Sequence, residues 1–210
     1  CYDSKRDFFY IFIWKEAFFP DKNIKKIPFR IVTTASADVP LKGLDYLLEA
    51  FSKVVQIFPE STLEVIGSSK KGGHTTRKIK DLSIKDKVHF NKDLSFKEVR
   101  DLYCSSDIVV IPSLYEGFGF AIGEAMACRV PVITTSGGAI PEVIGNCGIT
   151  VAPGNSEELK EALLKLLPDE NLKKSLAEKG FNRIIKHLQW KEVAKLMTEC
   201  YEEEIKRMID

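Results

Sequence analysis

Apolar positions along the chain change rhythm in a way that predicts alternating strands and helices. Continuous β-branched or aliphatic runs recur at Phe29-Arg-Ile-Val-Thr-Thr34, Leu63-Glu-Val-Ile66, Val88-His-Phe90, Asp107-Ile-Val-Val-Ile111, Val130-Pro-Val-Ile-Thr-Thr135 and Gly148-Ile-Thr-Val151. Runs of that kind suit strands buried on both faces of a parallel sheet. Between them the spacing turns helical. Leu44, Leu47, Leu48, Phe51, Val54, Val55 and Phe58 lie at offsets of 3, 4, 7, 10, 11 and 14 from the first, which places them on one helix face, and Pro59 stops that helix. A further helix is expected over 74 to 82. Another opens at Ser95-Phe-Lys-Glu98, a capping-box pattern. From Ser156 to Asp210 the pattern predicts two or three amphipathic helices, with Leu159, Leu163, Leu166 and Leu167 on the first stripe. The fold class is therefore α/β: a Rossmann-like open parallel sheet with helices on both faces and helices at the C-terminus. Residues 29 to 210 form that domain. The first 28 residues, an aromatic run followed by a lysine-rich turn, read as an extension or the remnant of a hinge.

Charge and cysteine usage narrow the partners. With 31 basic and 30 acidic side chains the formal net charge is +1, which gives no reason to expect nucleic acid. The five cysteines, at 1, 104, 128, 147 and 200, form neither a zinc module nor a disulfide framework, and His74, His89 and His187 stand apart from one another. No Asp-x-Asp motif is present, so no metal is expected. No segment approaches the ~20 apolar residues that span a bilayer. Phe8-Phe9-Tyr10-Ile11-Phe12-Ile13-Trp14 is the nearest, at seven residues with charged flanks and no small-residue cleavage site behind it. A reduced, cytoplasmic chain follows, with attachment at the inner membrane face as an alternative. The opening Cys1 reads as a cut from a longer chain rather than as a lipoprotein start.

In an open parallel sheet, ligands bind beyond the carboxyl ends of the strands. The densest polar and glycine-rich stretch, Pro112-Ser-Leu-Tyr-Glu-Gly-Phe-Gly-Phe120, stands directly after one strand. Glu116 lies in that loop. Gly117 and Gly119 permit close backbone approach, and the helix beginning near Gly119 offers free amides to a phosphate or a sugar hydroxyl. Glu124, about one and a half turns into the helix, can accept from both hydroxyls of a diol. Taken singly, these glutamates would be read as a loop carboxylate and a surface charge. Their spacing around Gly-Phe-Gly-Phe, ahead of a second glycine loop at Gly137-Gly138 with Pro141-Glu142, favours a site.

These residues resemble the donor-binding domain of retaining GT-B glycosyltransferases of family 4. The likeness rests on Tyr115-Glu-Gly-Phe-Gly119, Glu124-Ala-Met-Ala127, Gly137-Gly138 and Pro141-Glu142, with Lys42-Gly43 before the first helix and Val65-Ile66-Gly67 at the end of the next strand. Trp190-Lys-Glu-Val-Ala194 with Tyr201 resembles the family's terminal helix, so the likeness spans roughly 17 to 206. It implies that Glu124 holds the nucleotide ribose and that Glu116 lies at the donor sugar as the catalytic residue. It also implies that Lys42 steadies the diphosphate, and that Gly67, Gly117, Phe118, Gly119 and Phe120 approach the donor. The implied reaction is transfer of a sugar from a nucleotide-diphosphate donor to a glycan, lipid or small-molecule acceptor. It proceeds with retention and with neither metal nor cofactor.

One departure stands out. Ser36-Ala37 occupies the place of the family's Gly-Arg pair, so either Lys70 or Lys92 substitutes for the arginine or donor binding is weaker. A GT-B enzyme also needs a second Rossmann-like domain carrying the acceptor site, and Glu16-Ala-Phe-Phe-Pro20 resembles the hinge that would join it. The chain is thus expected to be a donor-binding half that works with an N-terminal domain in cis or in trans. The alternative is a non-catalytic nucleotide-sugar-binding module or partner subunit. A Rossmann dehydrogenase is disfavoured because Thr33-Thr-Ala-Ser-Ala-Asp38, not Gly-x-Gly-x-x-Gly, follows the first strand.

Overall fold

A computed structural model describes residues 17–36, 39–187 and 190–209. Cys1, the aromatic run at 8 to 14 and Ala37 lie outside the described residues. Six strands form one parallel sheet: β1 (Arg30–Thr34), β2 (Thr62–Ile66), β3 (Val88–Asn91), β4 (Ile108–Ile111), β5 (Val132–Thr135) and β6 (Ile149–Val151). Their spatial order is β3-β2-β1-β4-β5-β6, with Ile31 opposite Leu63 on one side and Ile108 on the other.

Consecutive strand residues serve opposite faces, which explains why the strands read as unbroken apolar runs. Ile31, Leu63, Val65, Ile108, Val110 and Ile133 pack into one core with α1 (Leu44–Ile57), α2 (His74–Asp81) and α6 (Ser156–Leu166). Val32, Val109, Ile111 and Val132 pack into the other with α3 (Phe96–Cys104), α4 (Phe120–Ala127) and α5 (Ile140–Ile144). Phe18 belongs to this second core, packing against Tyr103. The long helix α7 (Glu170–His187) reaches both, through Leu176 in the first and Ile184 in the second, and α8 (Trp190–Ile209) follows it.

Helix starts and stops follow local chemistry. Ser95 and Glu98 make the reciprocal capping box expected for α3. At α6, Asn155 accepts from the Glu158 amide at 3.0 Å. Full burial of Leu47, Leu48 and Phe51 on α1 contributes about 1.5–3 kcal/mol per side chain relative to exposure. Four strands, β1, β4, β5 and β6, begin one or two residues later than their apolar runs, since a run such as that at Asp107 or Val130 includes the residue that turns into the strand, whereas β2 begins one residue earlier, at Thr62, and β3 begins at Val88 as expected. The four described cysteines are free thiols. No helix among the described residues is long and apolar enough to cross a membrane.

Candidate functional site

The chain winds outward from β1 to β2 and β3, then returns to place β4 on the other side of β1. The loops after β1 and β4 therefore flank the switch point at the carboxyl edge of the sheet, where folds of this kind place a ligand crevice. Close backbone contacts bring the site-bearing loops together there. A 3-10 turn, Pro40–Lys42, follows β1, and the Leu114 amide donates to the Leu41 carbonyl at 2.8 Å. Gly43 follows that turn with φ +66°, and a Cβ on it would lie 1.9 Å from the Pro112 carbonyl oxygen. The loop after β5 joins the same cluster: Glu116 and Gly138 form an isolated parallel bridge, and the Ala139 amide donates to the Glu116 carbonyl at 2.9 Å. At Gly137 and Gly138 a Cβ would meet the Leu114 and Glu116 carbonyl oxygens at 2.1 and 2.3 Å. Only glycine permits these close approaches, so the second glycine loop holds the first in place.

Within this frame Lys42 and Glu116 meet. Lys42 Nζ donates to Glu116 Oε1 at 2.7 Å, and Ser113 Oγ donates to the same oxygen at 2.7 Å. The Glu116 side chain is 18% exposed and that of Lys42 40%, so the pair faces the crevice without being sealed. Ser113 was not singled out in the sequence. Its spacing, three residues before a glutamate in a loop, is the signature used at Ser95 and Glu98 and could have marked it.

The glycines of the Glu116 loop divide by role. Gly119 takes φ +68° and ends the loop at α4, whose first turn receives no side-chain cap. Gly117 has no positive φ, and a Cβ there would meet nothing within 4 Å. The packing of the loop therefore does not require glycine at this position. Phe118 and Phe120 stack at 5.6 Å between ring centroids, and both are exposed, as is Tyr115. Gly67, at φ +153°, passes within 2.5 Å (as a built Cβ) of the Ala35 carbonyl oxygen, which draws the end of β2 against the end of β1.

Glu124 lies on α4 near the buried Tyr103, whose hydroxyl hydrogen-bonds Thr34 Oγ1 at 2.8 Å. Burial, with no compensating partner among the described residues, pushes the Glu124 carboxyl up to about 7. Lys92 follows β3, 74% exposed and 3.7 Å from Asp93, while Lys70 is exposed in the loop after β2. Neither contacts Glu116. No group of three His, Cys, Asp or Glu side chains among the described residues could hold a metal. A cavity of about 460 Å³ adjoins the Pro40–Lys42 turn, lined by Val39, Pro40, Asp45, Tyr46 and His74 among others, and includes neither Glu116 nor Glu124.

A doubly wound parallel sheet with its glycine-rich loops gathered at the switch point makes the chain a Rossmann-like domain. The family model "Glycosyl transferases group 1" matches residues 15–183, and the chain belongs to that family. MMP alpha-(1->4)-mannosyltransferase of Mycolicibacterium hassiacum is 36% identical over 182 residues, covering 85% of this chain and 44% of that enzyme. The chain thus spans less than half the length of this relative. Among solved structures, the C-terminal domain of the glycosyl transferase group 1 protein LpcC from Francisella tularensis superposes with a TM-score of 0.75 at 25% identity, covering 85% of this chain and 99% of that one. HepE of Anabaena, solved with UDP, has a TM-score of 0.74 at 22% identity, covering 84% of this chain and 49% of that one.

Proposed function

We propose that this chain is the donor-binding half of a family 4 GT-B glycosyltransferase, one that transfers a sugar from a nucleotide diphosphate with retention and without a metal. The observation that carries this reading is the Glu116 carboxylate, fixed by Lys42 and Ser113 beside the open backbone of Gly117 at the sheet's carboxyl edge. Breaking a glycosyl–diphosphate bond builds negative charge on the diphosphate and positive charge on the sugar ring. Lys42 and the amides at the start of α4 would stabilise the first, and Glu116 would face the sugar. Glu124, already desolvated, would take the ribose diol. Lys70 or Lys92 would supply the charge that an arginine at Ala37 would have carried. The acceptor would be bound by an N-terminal domain, in cis or in trans.

Calorimetric titration of the chain with UDP, GDP and ADP, with NAD as a control, tests the reading. Binding of at least one nucleoside diphosphate but not NAD is expected, and the reverse result would remove it. If a donor binds, adding an N-terminal half and following sugar transfer separates an enzyme half from a binding module. Glu116→Ala is expected to reduce transfer at least about a hundredfold more than it weakens nucleoside-diphosphate binding.

A further inference from the structure

Both hydrogen bonds that the Glu116 carboxylate receives fall on one oxygen. Lys42 Nζ and Ser113 Oγ each donate to Oε1 at 2.7 Å, and Oε2 receives none among the described residues. The two donors differ in permanence. Lys42 sits at the end of a flexible four-carbon stem and is 40% exposed. A diphosphate carries more negative charge than one carboxylate, so a donor entering the crevice competes for that ammonium. Ser113 is 0% exposed, follows Pro112 at the end of β4, and has its carbonyl held by the Thr135 hydroxyl at 2.5 Å. Thr135 closes β5, so two neighbouring strands fix the serine. Were Lys42 to turn to a diphosphate, Ser113 would remain on Oε1.

We propose that Ser113 is a positioning residue for donor-sugar recognition: it holds Glu116 Oε1 so that Oε2 stays presented to the sugar hydroxyls while Lys42 moves between the carboxylate and the diphosphate. This rests on the donor-site reading above. A carboxylate anchored at one oxygen by a neutral hydroxyl keeps its charge and one free lone-pair edge, which is what a pair of sugar hydroxyls needs. With the hydroxyl removed and the lysine withdrawn, the carboxylate would rotate freely and pay orientation entropy on every binding event.

The test compares wild type, Ser113→Ala and Ser113→Thr in calorimetric titrations with three pairs of probes: UDP-glucose against UDP, GDP-mannose against GDP, and ADP-glucose against ADP. For a pair that binds, Ser113→Ala is expected to leave nucleoside-diphosphate affinity within about twofold. It is expected to weaken the sugar nucleotide by roughly tenfold or more, the scale of one hydrogen bond to a charged group. Ser113→Thr, which keeps the hydroxyl, is expected to restore it. A double-mutant cycle isolates the route of the effect, because on a Glu116→Ala background Ser113→Ala should cost nothing further. Equal losses for both members of a pair, an undiminished loss on the Glu116→Ala background, or full affinity in Ser113→Ala would each overturn the proposal. Wild type that binds none of the six probes would instead remove the donor-site reading, and the role of Ser113 with it.

Discussion

Glu124 carries the sharpest pH dependence at the level of single residues. Its carboxyl is pushed up to about 7 by burial alone, from an ordinary 4.5. An acid whose folded pKa lies above its unfolded value holds its proton more tightly when folded. The associated stability is complete below about 4.5, and is lost as pH rises to about 7. For a partly exposed group the loss is on the order of 2–3 kcal/mol. Urea unfolding of wild type from pH 5 to pH 8 should show that decline, and Glu124→Gln should flatten it. Ligand binding should run the opposite way. A diol is best accepted by the ionised carboxylate, so nucleoside-diphosphate affinity should rise between pH 6 and pH 8 by roughly tenfold relative to Glu124→Gln measured in parallel. The variant cancels titration of the phosphates themselves. Gly117 gives a second residue-level prediction. Because a Cβ there meets nothing within 4 Å and φ is not positive, Gly117→Ala should change unfolding stability by less than about 0.5 kcal/mol while weakening nucleotide binding. Glu116 and Glu124 stand out in the sequence because they flank a glycine pattern after an apolar strand. Ser113 was overlooked because a serine next to a proline after a strand reads first as an ordinary turn residue.

Elements were the most legible scale, for a physical reason: strands buried on both faces leave unbroken apolar runs, and one-sided helices leave a stripe. The helix over α1 and the capping box of α3 were both readable in that way. What no local pattern announces is how loops from different strands are pressed together. Gly43 shows the difference. Its sequence neighbourhood suggests only the start of a helix, yet its Cα faces the Pro112 carbonyl of a loop far along the chain, in a left-handed conformation. Gly43→Ala therefore adds a clash with backbone to an unfavourable φ, and should cost about 2–4 kcal/mol in urea unfolding. The same substitution displaces the turn bearing Lys42 from Glu116, so affinity for nucleoside diphosphate should fall as well. Paired with Gly117→Ala, it separates a glycine required by packing from one required by the crevice.

At the scale of the whole molecule, a buried ion pair ties the edge opposite the crevice to α7. Asp107 stands at the amino end of β4, where its Oδ2 accepts from the Phe29 amide at 2.7 Å and lies 3.2 Å from Lys173 Nζ. The side chains are 10% and 6% exposed, and Lys173 also reaches Glu170 at 2.6 Å. This contact pins α7, the helix that touches both cores, to the entry of β1 and the start of β4. Lysine and aspartate lie 66 residues apart in a helix and a strand entry, with no shared periodicity, so the sequence offered no sign of the pair. Buried ion pairs add little over an apolar replacement, but removing one member strands the other. Lys173→Met should therefore destabilise the domain by about 3 kcal/mol, seen as a lower urea midpoint with an unchanged slope. Asp107→Asn combined with Lys173→Met should recover part of that loss, since the amide side chain can still accept from Phe29 without a buried charge. Nucleotide affinity measured well below the unfolding transition should be unaffected in both variants, because the pair lies at the amino ends of the strands and Glu116 beyond their carboxyl ends. A parallel loss of affinity would mean that α7 transmits strain through the sheet to the crevice, and that stability and donor binding in this domain are coupled.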